Sequence, residues 1–178
     1  MLQVTSSIII DAPAERVWYI LTNVNFYKCW NPFVIGGSGR IEEGLNLNVA
    51  IRSASFAPRR TVLHVVKVRP PFGFKIRERM LFECVLNAEY AFWLQISGPE
   101  GMRFVQTTTY RGLLVPFMRY RLNHSTVWRR QDAMNRALKR LAEGWGRNGE
   151  EHALVLNRPV VLVGDVMSPT RPTEHAHF

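Results

Sequence analysis

Five consecutive segments of the chain alternate apolar with polar residues or are rich in β-branched ones, and a single long helical stripe follows them. Alternation with a period of two predicts strands that bury one face and leave the other in water, as in an antiparallel sheet. These segments are residues 45–53, 61–68, 74–79, 87–96 and 102–111. Their order constrains the fold most, because the apolar face of a sheet and the stripe of a helix must cover each other.

The helical stripe steps by three or four residues, which places its members on one face of a helix. It consists of Phe117, Tyr120, His124, Val127, Gln131, Met134, Leu138, Leu141 and Trp145. The helix is therefore predicted to lie across the concave face of the sheet. Together with a strand at residues 4–11 and a short helix at residues 14–22, this order predicts the α+β class.

Two regions have a less regular pattern. Residues 26–33 predict an aromatic loop or short helix, and four glycines between residues 36 and 44 predict turns. After residue 149 the pattern changes to an extended apolar segment at residues 153–166, which fits an edge strand, a lid or a partner contact, and then to a tail that we expect to be disordered. We expect one domain at residues 1–149 and an extension at residues 150–178.

Composition narrows the class of protein. The chain has 178 residues, enough for one domain with a sizeable core, and 47% of them are hydrophobic. No apolar run approaches the roughly 18 residues of a membrane span, and the first residues lack the basic start of a secretory signal. Cys29 and Cys84 are isolated thiols without metal-ligand spacing. We therefore expect a cytoplasmic protein without a cofactor or metal.

The net charge of +9 is concentrated in the helical region. Residues 117–147 contain eight basic and two acidic residues, so this stretch carries six of the nine net positive charges. No nucleic-acid motif accompanies them, which favours the solvated face of an amphipathic helix. A weak contact of this basic face with an anionic surface is the alternative, and the oligomeric state stays open.

Four motifs occur in order along residues 4–145. They are IDAPAERVW at 10–18, WNPFV at 30–34, a strand from Gly101 that ends in YRGLL at 110–114, and MNRALKRLAE at 134–143. In this order they resemble the START-like superfamily (SRPBCC) of Bet v 1, polyketide cyclase and lipid-transfer proteins. The resemblance implies a helix-grip fold, in which a curved antiparallel sheet wraps around a long C-terminal helix and encloses a hydrophobic cavity. Carriers, enzymes and partner-binding proteins share this fold, so it implies no single activity.

In a helix-grip fold, the alternation predicts which side chains face the helix and line the cavity. The predicted ligand-binding residues are Val49, Ile51, Val66, Phe74, Ile76, Phe92, Leu94, Phe104, Gln106, Thr108, Val127, Gln131, Met134 and Leu138. Polar residues recur on this face, where a closed core rarely tolerates them, and this favours a real cavity over a filled core. The flexible thioether of Met134 suits an irregular ligand, and the adjacent Asn135 is interpreted as structural.

Two histidines are candidates for acid–base chemistry, because imidazole titrates near neutral pH. His64 shares its strand parity with Val62 and Val66 and is predicted to point inward. We favour a hydrogen-bonded core residue there over a catalytic group. His124 is placed near the start of the helix, either as a gate or acid–base group at the cavity mouth or as a surface residue.

Two tyrosines complete the candidate catalytic set. Tyr90 and Tyr110 are placed to donate hydrogen bonds to a ligand carbonyl or an enolate, although packing explains them equally well. Glu78 shares the inward parity of Phe74 and Ile76, where a buried carboxyl could be a general acid. We favour the alternative that the strand ends or bulges there and that Glu78 pairs with a neighbouring arginine.

Three hypotheses about function follow. The first is a carrier or shape-directed catalyst that binds a hydrophobic polyketide, terpenoid, quinone or lipid. The second is a polyketide cyclase or dehydratase that acts by acid–base catalysis on a substrate held in one conformer. The third is a protein-interaction module with a filled core, which uses the basic helix and residues 153–166.

Overall fold

The computed structural model describes residues 1–52, 58–80, 85–96, 102–117 and 124–156, with side chains for all of these except Ile96 and residues 145–156. The strands are β1 (Leu2–Ile10), β2 (Val34–Ser38), β3 (Asn46–Ile51), β4 (Arg59–Arg69), β5 (Gly73–Arg79), β6 (Asn87–Ile96) and β7 (Met102–Arg111). The helical elements are α1 (Ala14–Thr22), a 3₁₀ turn (Val24–Phe26), α2 (Tyr27–Trp30) and α3 (His124–Leu156).

The seven strands form one antiparallel sheet in the order β1–β7–β6–β5–β4–β3–β2. Helix α3 lies on the inner face of this sheet and runs along β1. Three side chains of α3 hold that position by donating hydrogen bonds to β1. The bonds join Gln131 to the carbonyl of Val4 (3.1 Å), Asn135 to the hydroxyl of Ser6 (3.0 Å) and Lys139 to the carbonyl of Ile9 (2.8 Å). The predicted α+β fold with a curved antiparallel sheet and a long C-terminal helix is confirmed.

An apolar core fills the space between the sheet, α1 and the middle of α3. The rings of Phe74 and Phe92 lie 4.9 Å apart between centroids, and those of Phe92 and Phe104 lie 6.2 Å apart. Leu138 of α3 is fully buried in the same cluster. Helix α1 starts after Pro13, where a missing backbone N–H costs nothing, and buries its apolar face in this core.

The inward face of β4 differs from the prediction. Leu63 and Val65 are buried, whereas Val62 is 51% exposed and His64 lies on the same outer face. There, Nδ1 of His64 donates a hydrogen bond to Oδ1 of Asn46 at 3.1 Å, since an amide oxygen only accepts. The prediction that His64 points inward is wrong, because both faces of β4 carry apolar or β-branched residues and alternation alone did not distinguish them.

A β-bulge also changes the parity within β4. The register shifts between Val65 and Lys67, so that Val66 has no partner on β5. The extra residue turns Val68 towards the core, although an uninterrupted strand would have turned it outward. The predicted place of Val66 in the cavity wall is wrong as well, because Val66 neither packs against the apolar core nor lines the cavity.

Helix α3 begins later than the predicted stripe. Phe117 lies in a turn after β7 and is 84% exposed, so its assignment to the buried face of the helix is wrong. Tyr120 lies outside the described residues, and the helix starts at His124. Gly36 and Gly37, predicted as turn residues, lie within β2, where hydrogen bonds to β3 keep the chain extended.

By its internal contacts the chain divides into two units, Met1–Arg147 and Asn148–Phe178. In the second unit, the structure describes residues 148–156, which are helical. The prediction that residues 153–166 are extended is therefore wrong for residues 153–156, whose alanine and leucines are good helix formers. Residues 157–178 lie outside the described residues, so the predicted boundary at residue 149 and the predicted tail stay predictions.

Replacing Gly112 by alanine is expected to destabilise the protein by about 1–3 kcal/mol. Gly112 has a φ of +126°, and an added Cβ would lie 2.3 Å from the backbone oxygen of Val85. The control is Gly36→Ala, because a Cβ at Gly36 meets nothing within 4 Å and alanine lowers the entropy of the unfolded chain. Urea denaturation measures both variants, and equal unfolding free energies would contradict the strain assigned to Gly112.

Candidate functional site

A cavity of about 220 Å³ lies between the inner face of the sheet and the start of α3. Strands β3 to β7 form its floor, and residues 24–34 form one side. The first turns of α3 contribute Val127, Gln131 and Met134 to its roof. One turn further along, Leu138 is fully buried against the core. The helix is therefore close-packed in its middle and stands over an open space near its start.

Polar groups gather at one end of this cavity because of strand pairing. Tyr90 of β6 pairs with Thr108 of β7, and Glu78 and Tyr110 both pair with Ala88 from opposite sides. Arg59 at the start of β4 reaches the same place from the neighbouring strand. The remaining floor is lined mainly by aliphatic and phenyl side chains of β3, β4, β5 and β6. The cavity is thus amphipathic, with one polar end and a largely apolar body.

The carboxylate of Glu78 is the centre of the polar end and is fully buried. Its Oε1 accepts hydrogen bonds from Nη1 of Arg59 at 2.6 Å and from the hydroxyl of Thr61 at 2.9 Å. Its Oε2 accepts a hydrogen bond from the hydroxyl of Tyr90 at 2.9 Å. Tyr110 lies beside Tyr90 and lines the same end of the cavity. A buried carboxylate needs such donors, since an unpaired charge in an apolar wall is strongly destabilising.

The charge of Glu78 changes the titration of its neighbours. Burial and the negative charge of Glu78 raise the pKa of Tyr90 well above its ordinary value of 10.0, and the same two causes raise the pKa of Tyr110. Burial opposes ionisation of Arg59, but its hydrogen bond to Glu78 and the attraction of that carboxylate outweigh burial and raise its pKa. Both tyrosines are therefore neutral hydrogen-bond donors at physiological pH, and Arg59 is a cation.

A second polar group lies between β7 and α3. Nε2 of Gln131 donates hydrogen bonds to the hydroxyl of Thr108 at 2.9 Å and to the carbonyl of Val4. Nε2 of Gln106 faces the thioether sulfur of Met134 at 3.7 Å. Gln106, Thr108, Gln131 and Met134 all line the cavity. This set connects the roof of the cavity to its floor.

Most of the predicted ligand-binding residues line the cavity. They are Val49, Ile51, Phe74, Ile76, Phe92, Gln106, Thr108, Val127, Gln131 and Met134. Leu94, Phe104 and Leu138 are buried on the predicted face but belong to the filled core, and Val66 lies outside both the core and the cavity lining. Asn135 donates a hydrogen bond to the hydroxyl of Ser6 and so joins α3 to β1, in agreement with its interpretation as a structural residue.

The candidate catalytic residues separate into two groups. Tyr90 and Tyr110 line the cavity, and the structure brings them together at Glu78, whose predicted partnership with an arginine is also present. His64 lies on the outer face of the sheet, and His124 is exposed at the start of α3 without lining the cavity. Whether any of these groups acts on a ligand stays a prediction.

Sequence reasoning missed the side of the cavity formed by residues 24–34. Tyr27, Asn31 and Phe33 line the cavity from this segment, which the pattern described only as aromatic. Arg59 and Arg130 were missed as well. Alternation along β4 places Arg59 on the same face as the buried Leu63. Arg59 was missed because the prediction took the opposite face of β4 as the inner one.

The basic face of α3 is partly neutralised within the helix. Ion pairs at a spacing of four residues join Arg136 to Asp132 and Lys139 to Glu143. Arg140 is exposed. The predicted weak contact of this face with an anionic surface stays a prediction. Among the described helices, none is both long and apolar enough to cross a membrane, and the described residues contain no cluster of three metal-ligating side chains.

The sequence matches the family model of polyketide cyclase / dehydrase and lipid transport proteins over residues 1–143. The chain belongs to this family. No curated protein matches its sequence. The cavity therefore lies within the part of the chain that defines the polyketide cyclase / dehydrase and lipid transport family.

Solved structures of this fold are similar in backbone and distant in sequence. The Zhui aromatase/cyclase from a Streptomyces species is 18% identical, with a TM-score of 0.67 and coverage of 84% of this chain and 98% of its own. A START superfamily protein from Mycobacterium smegmatis is 15% identical, with a TM-score of 0.61 and coverage of 79% and 97%. Norcoclaurine synthase from Thalictrum flavum is 13% identical, with a TM-score of 0.60 and coverage of 79% and 92%. These likenesses confirm the helix-grip fold.

The raised pKa of Tyr90 predicts a loss of stability in alkali. A group whose pKa is higher in the folded state stabilises it below the unfolded pKa of about 10 and loses this contribution as the pH rises further. Above pH 10 we expect the unfolding free energy of the wild type to fall as the pH rises. In Tyr90→Phe this slope is expected to be smaller by up to about 1.4 kcal/mol per pH unit. Denaturant unfolding between pH 8 and 12 measures this slope. Identical slopes above pH 10 would contradict the perturbed tyrosine.

Proposed function

We propose that this protein binds a mainly apolar small molecule that bears oxygen groups, with its body in the apolar part of the cavity and a polar end at Tyr110, Tyr90 and Arg59. The observation that supports this most is the amphipathic wall around a space of about 220 Å³. A binding site with an apolar wall and a few convergent polar groups fixes the orientation of its ligand. Membership of the polyketide cyclase / dehydrase and lipid transport family is consistent with such a ligand.

The size of the cavity restricts the ligand class. An apolar cavity of about 150 Å³ is sufficient to bind benzene, and the cavity here is about 220 Å³. A one- or two-ring molecule, or a folded chain of similar volume, therefore fits without rearrangement. A fully extended long-chain lipid does not fit within this volume.

The polar end favours an oxygenated ligand over a pure hydrocarbon. The buried carboxylate of Glu78 accepts hydrogen bonds from three donors, of which Arg59 is itself about half exposed at 47%. Replacing a buried ion pair by apolar residues is often neutral or stabilising, so stability alone is a weak reason for such a pair in the wall. Donors held in place by Glu78 are instead ready to bind a carbonyl or enolate oxygen, without the entropy cost of ordering them at binding.

Filling the cavity is expected to abolish ligand uptake. Ile76 lies in the floor and lines the cavity, so Ile76→Trp occupies the space that a ligand needs. We expect isothermal titration calorimetry with 1-naphthol to give a measurable Kd for the wild type and no binding for Ile76→Trp. The control is Val62→Trp, on the outer face of the neighbouring strand, which is expected to bind like the wild type. Absence of binding by the wild type to naphthalene-sized ligands would overturn the proposal.

A second candidate function is cyclisation or dehydration of a polyketide-like substrate. The observation that favours it is the row of polar side chains formed by Tyr110, Tyr90 and the buried Glu78, in which Tyr90 donates a hydrogen bond to Glu78. In an intramolecular aldol reaction, an enolate carbon bonds to a carbonyl carbon, and the carbonyl oxygen gains negative charge and then a proton. Tyr90 donates its single O–H to Glu78, which leaves the O–H of Tyr110 and the remaining N–H groups of Arg59 to donate hydrogen bonds to that developing charge. The cavity walls hold the reactive ends together, which lowers the entropic part of the barrier.

The catalytic hypothesis predicts a separation of rate from affinity. Removing one hydrogen-bond donor to a developing oxyanion typically lowers kcat by about 10²–10³. We expect Tyr110→Phe to lower kcat for cyclisation of a short aromatic β-polyketone to this extent, with the Kd for 1-naphthol changed less than about threefold. His64→Ala is the control, since His64 lies on the outer face. No turnover by the wild type, with binding intact, would leave the protein as a carrier.

A further inference from the structure

Two buried amide oxygens in the cavity wall have no hydrogen-bond partner among the described residues. They are Oε1 of Gln106 and Oε1 of Gln131. Both side chains line the cavity, and they are only 6% and 3% exposed. Buried acceptors of this kind are rare in native proteins, because each one loses its hydrogen bonds to water without a replacement.

The orientation of both amides is fixed by acceptors that cannot donate. The carbonyl of Val4 lies 3.1 Å from Nε2 of Gln131 and only accepts, so the NH₂ group must face it. The thioether of Met134 is likewise only an acceptor, and it faces Nε2 of Gln106. Rotating either amide by 180° would place two acceptors against each other. The unpaired atoms are therefore the carbonyl oxygens.

The two oxygens belong to one cluster. Gln106 and Thr108 are neighbours on the inner face of β7, and Gln131 and Met134 are three residues apart on α3. Hydrogen bonds connect the two elements through Gln131 to Thr108 and through Gln106 to Met134. Gln106 pairs with Phe92, so this cluster adjoins the apolar body of the cavity, whereas Tyr90 and Tyr110 adjoin Glu78 at the polar end.

We infer that the ligand of this cavity carries a hydroxyl or amine donor that binds the side-chain oxygen of Gln106, assisted by that of Gln131. This inference rests on the proposed function and adds a chemical requirement to it. The groups at the Glu78 end donate hydrogen bonds, and those between β7 and α3 accept them. The ligand class is therefore a small phenol, enol or amine with a second oxygen, such as a carbonyl, towards Tyr110.

The test compares ligands of nearly equal shape that differ in one donor. The probes are 1-naphthol and 1-aminonaphthalene, which carry a donor, and 1-methylnaphthalene, which does not. In an apolar wall without an acceptor, the methyl compound binds best, because burying an unpaired hydroxyl is unfavourable. We expect the wild type to bind both donor ligands about tenfold more tightly than the methyl compound, which corresponds to about 1.4 kcal/mol.

Matched glutamine variants locate the acceptor. Gln106→Met preserves side-chain length and loses only the contact with Met134, and we expect it to remove the preference for donor ligands while 1-methylnaphthalene binds at least as tightly. Gln95→Met makes the same change at an exposed position of β6 and is expected to keep the preference. Gln131 is unsuitable as the main variant, since its NH₂ group also holds α3 to β1.

Failure of this inference is distinguishable from failure of the proposed function. If the wild type binds the methyl compound as tightly as 1-naphthol, the inference is wrong and the binding function stands. If the preference survives in Gln106→Met, the donor pairs elsewhere and the inference is again wrong. If the wild type binds none of the three probes, the proposed function is overturned together with the inference.

Discussion

The position of α3 on the sheet is the constraint on which the rest of the structure depends. Gln131, Asn135 and Lys139 fasten successive turns of the helix to residues of β1 that are two and three positions apart. Two of the three side chains are buried, so these hydrogen bonds are costly to break and determine how far along the sheet each turn lies. They bring Leu138 onto the phenylalanine core and leave Val127 and Met134 over open space. Cavity and core are thus two ends of one interface.

Glu78 connects the fold to the chemistry of the cavity. A carboxylate at the inner face of a central strand is tolerated because Arg59, Thr61 and Tyr90 all donate to it. The same bonds hold the phenol of Tyr90 in a fixed orientation beside Tyr110. A network that is necessary to neutralise a buried charge therefore also prepares hydrogen-bond donors for a ligand, and these two roles cannot be separated by structure alone.

The fold by itself leaves the activity open. An aromatase/cyclase and norcoclaurine synthase have backbones similar to this chain at 18% and 13% identity. Function must therefore come from the side chains around the cavity. Here the hydrogen-bond donors lie around Glu78, and the unpaired acceptors are the side-chain oxygens of Gln106 and Gln131. This division restricts the ligand more than the apolar surface does, because an unpaired polar atom discriminates between ligands far more sharply than a methylene group.

The sequence alone determined the class of the fold, the order of its elements and the inner face of most strands. The inward direction of Ile76, Phe92 and Thr108 was predicted correctly. In β5, β6 and β7 either one face is clearly more apolar than the other, or the neighbouring residues leave a single assignment of the two faces. It also predicted that Glu78 pairs with an arginine, although the expected end or bulge of the strand at Glu78 is wrong, since β5 continues to Arg79. These properties are local, since alternation along one strand encodes which side chains share a face.

Only the tertiary structure decided the face of β4, the residues that line the cavity and the partner of each polar group. In the sequence pattern, Leu63 and His64 fit the inner face of β4 equally well, and the pairing of β4 with its neighbours decides between them. The bulge at Val66 has no signature in the alternation. Leu94 and Leu138 share the predicted face yet belong to the core. The physical reason is that alternation encodes direction, whereas the distance between helix and sheet, which separates a packed core from a cavity, depends on contacts between residues far apart in the chain.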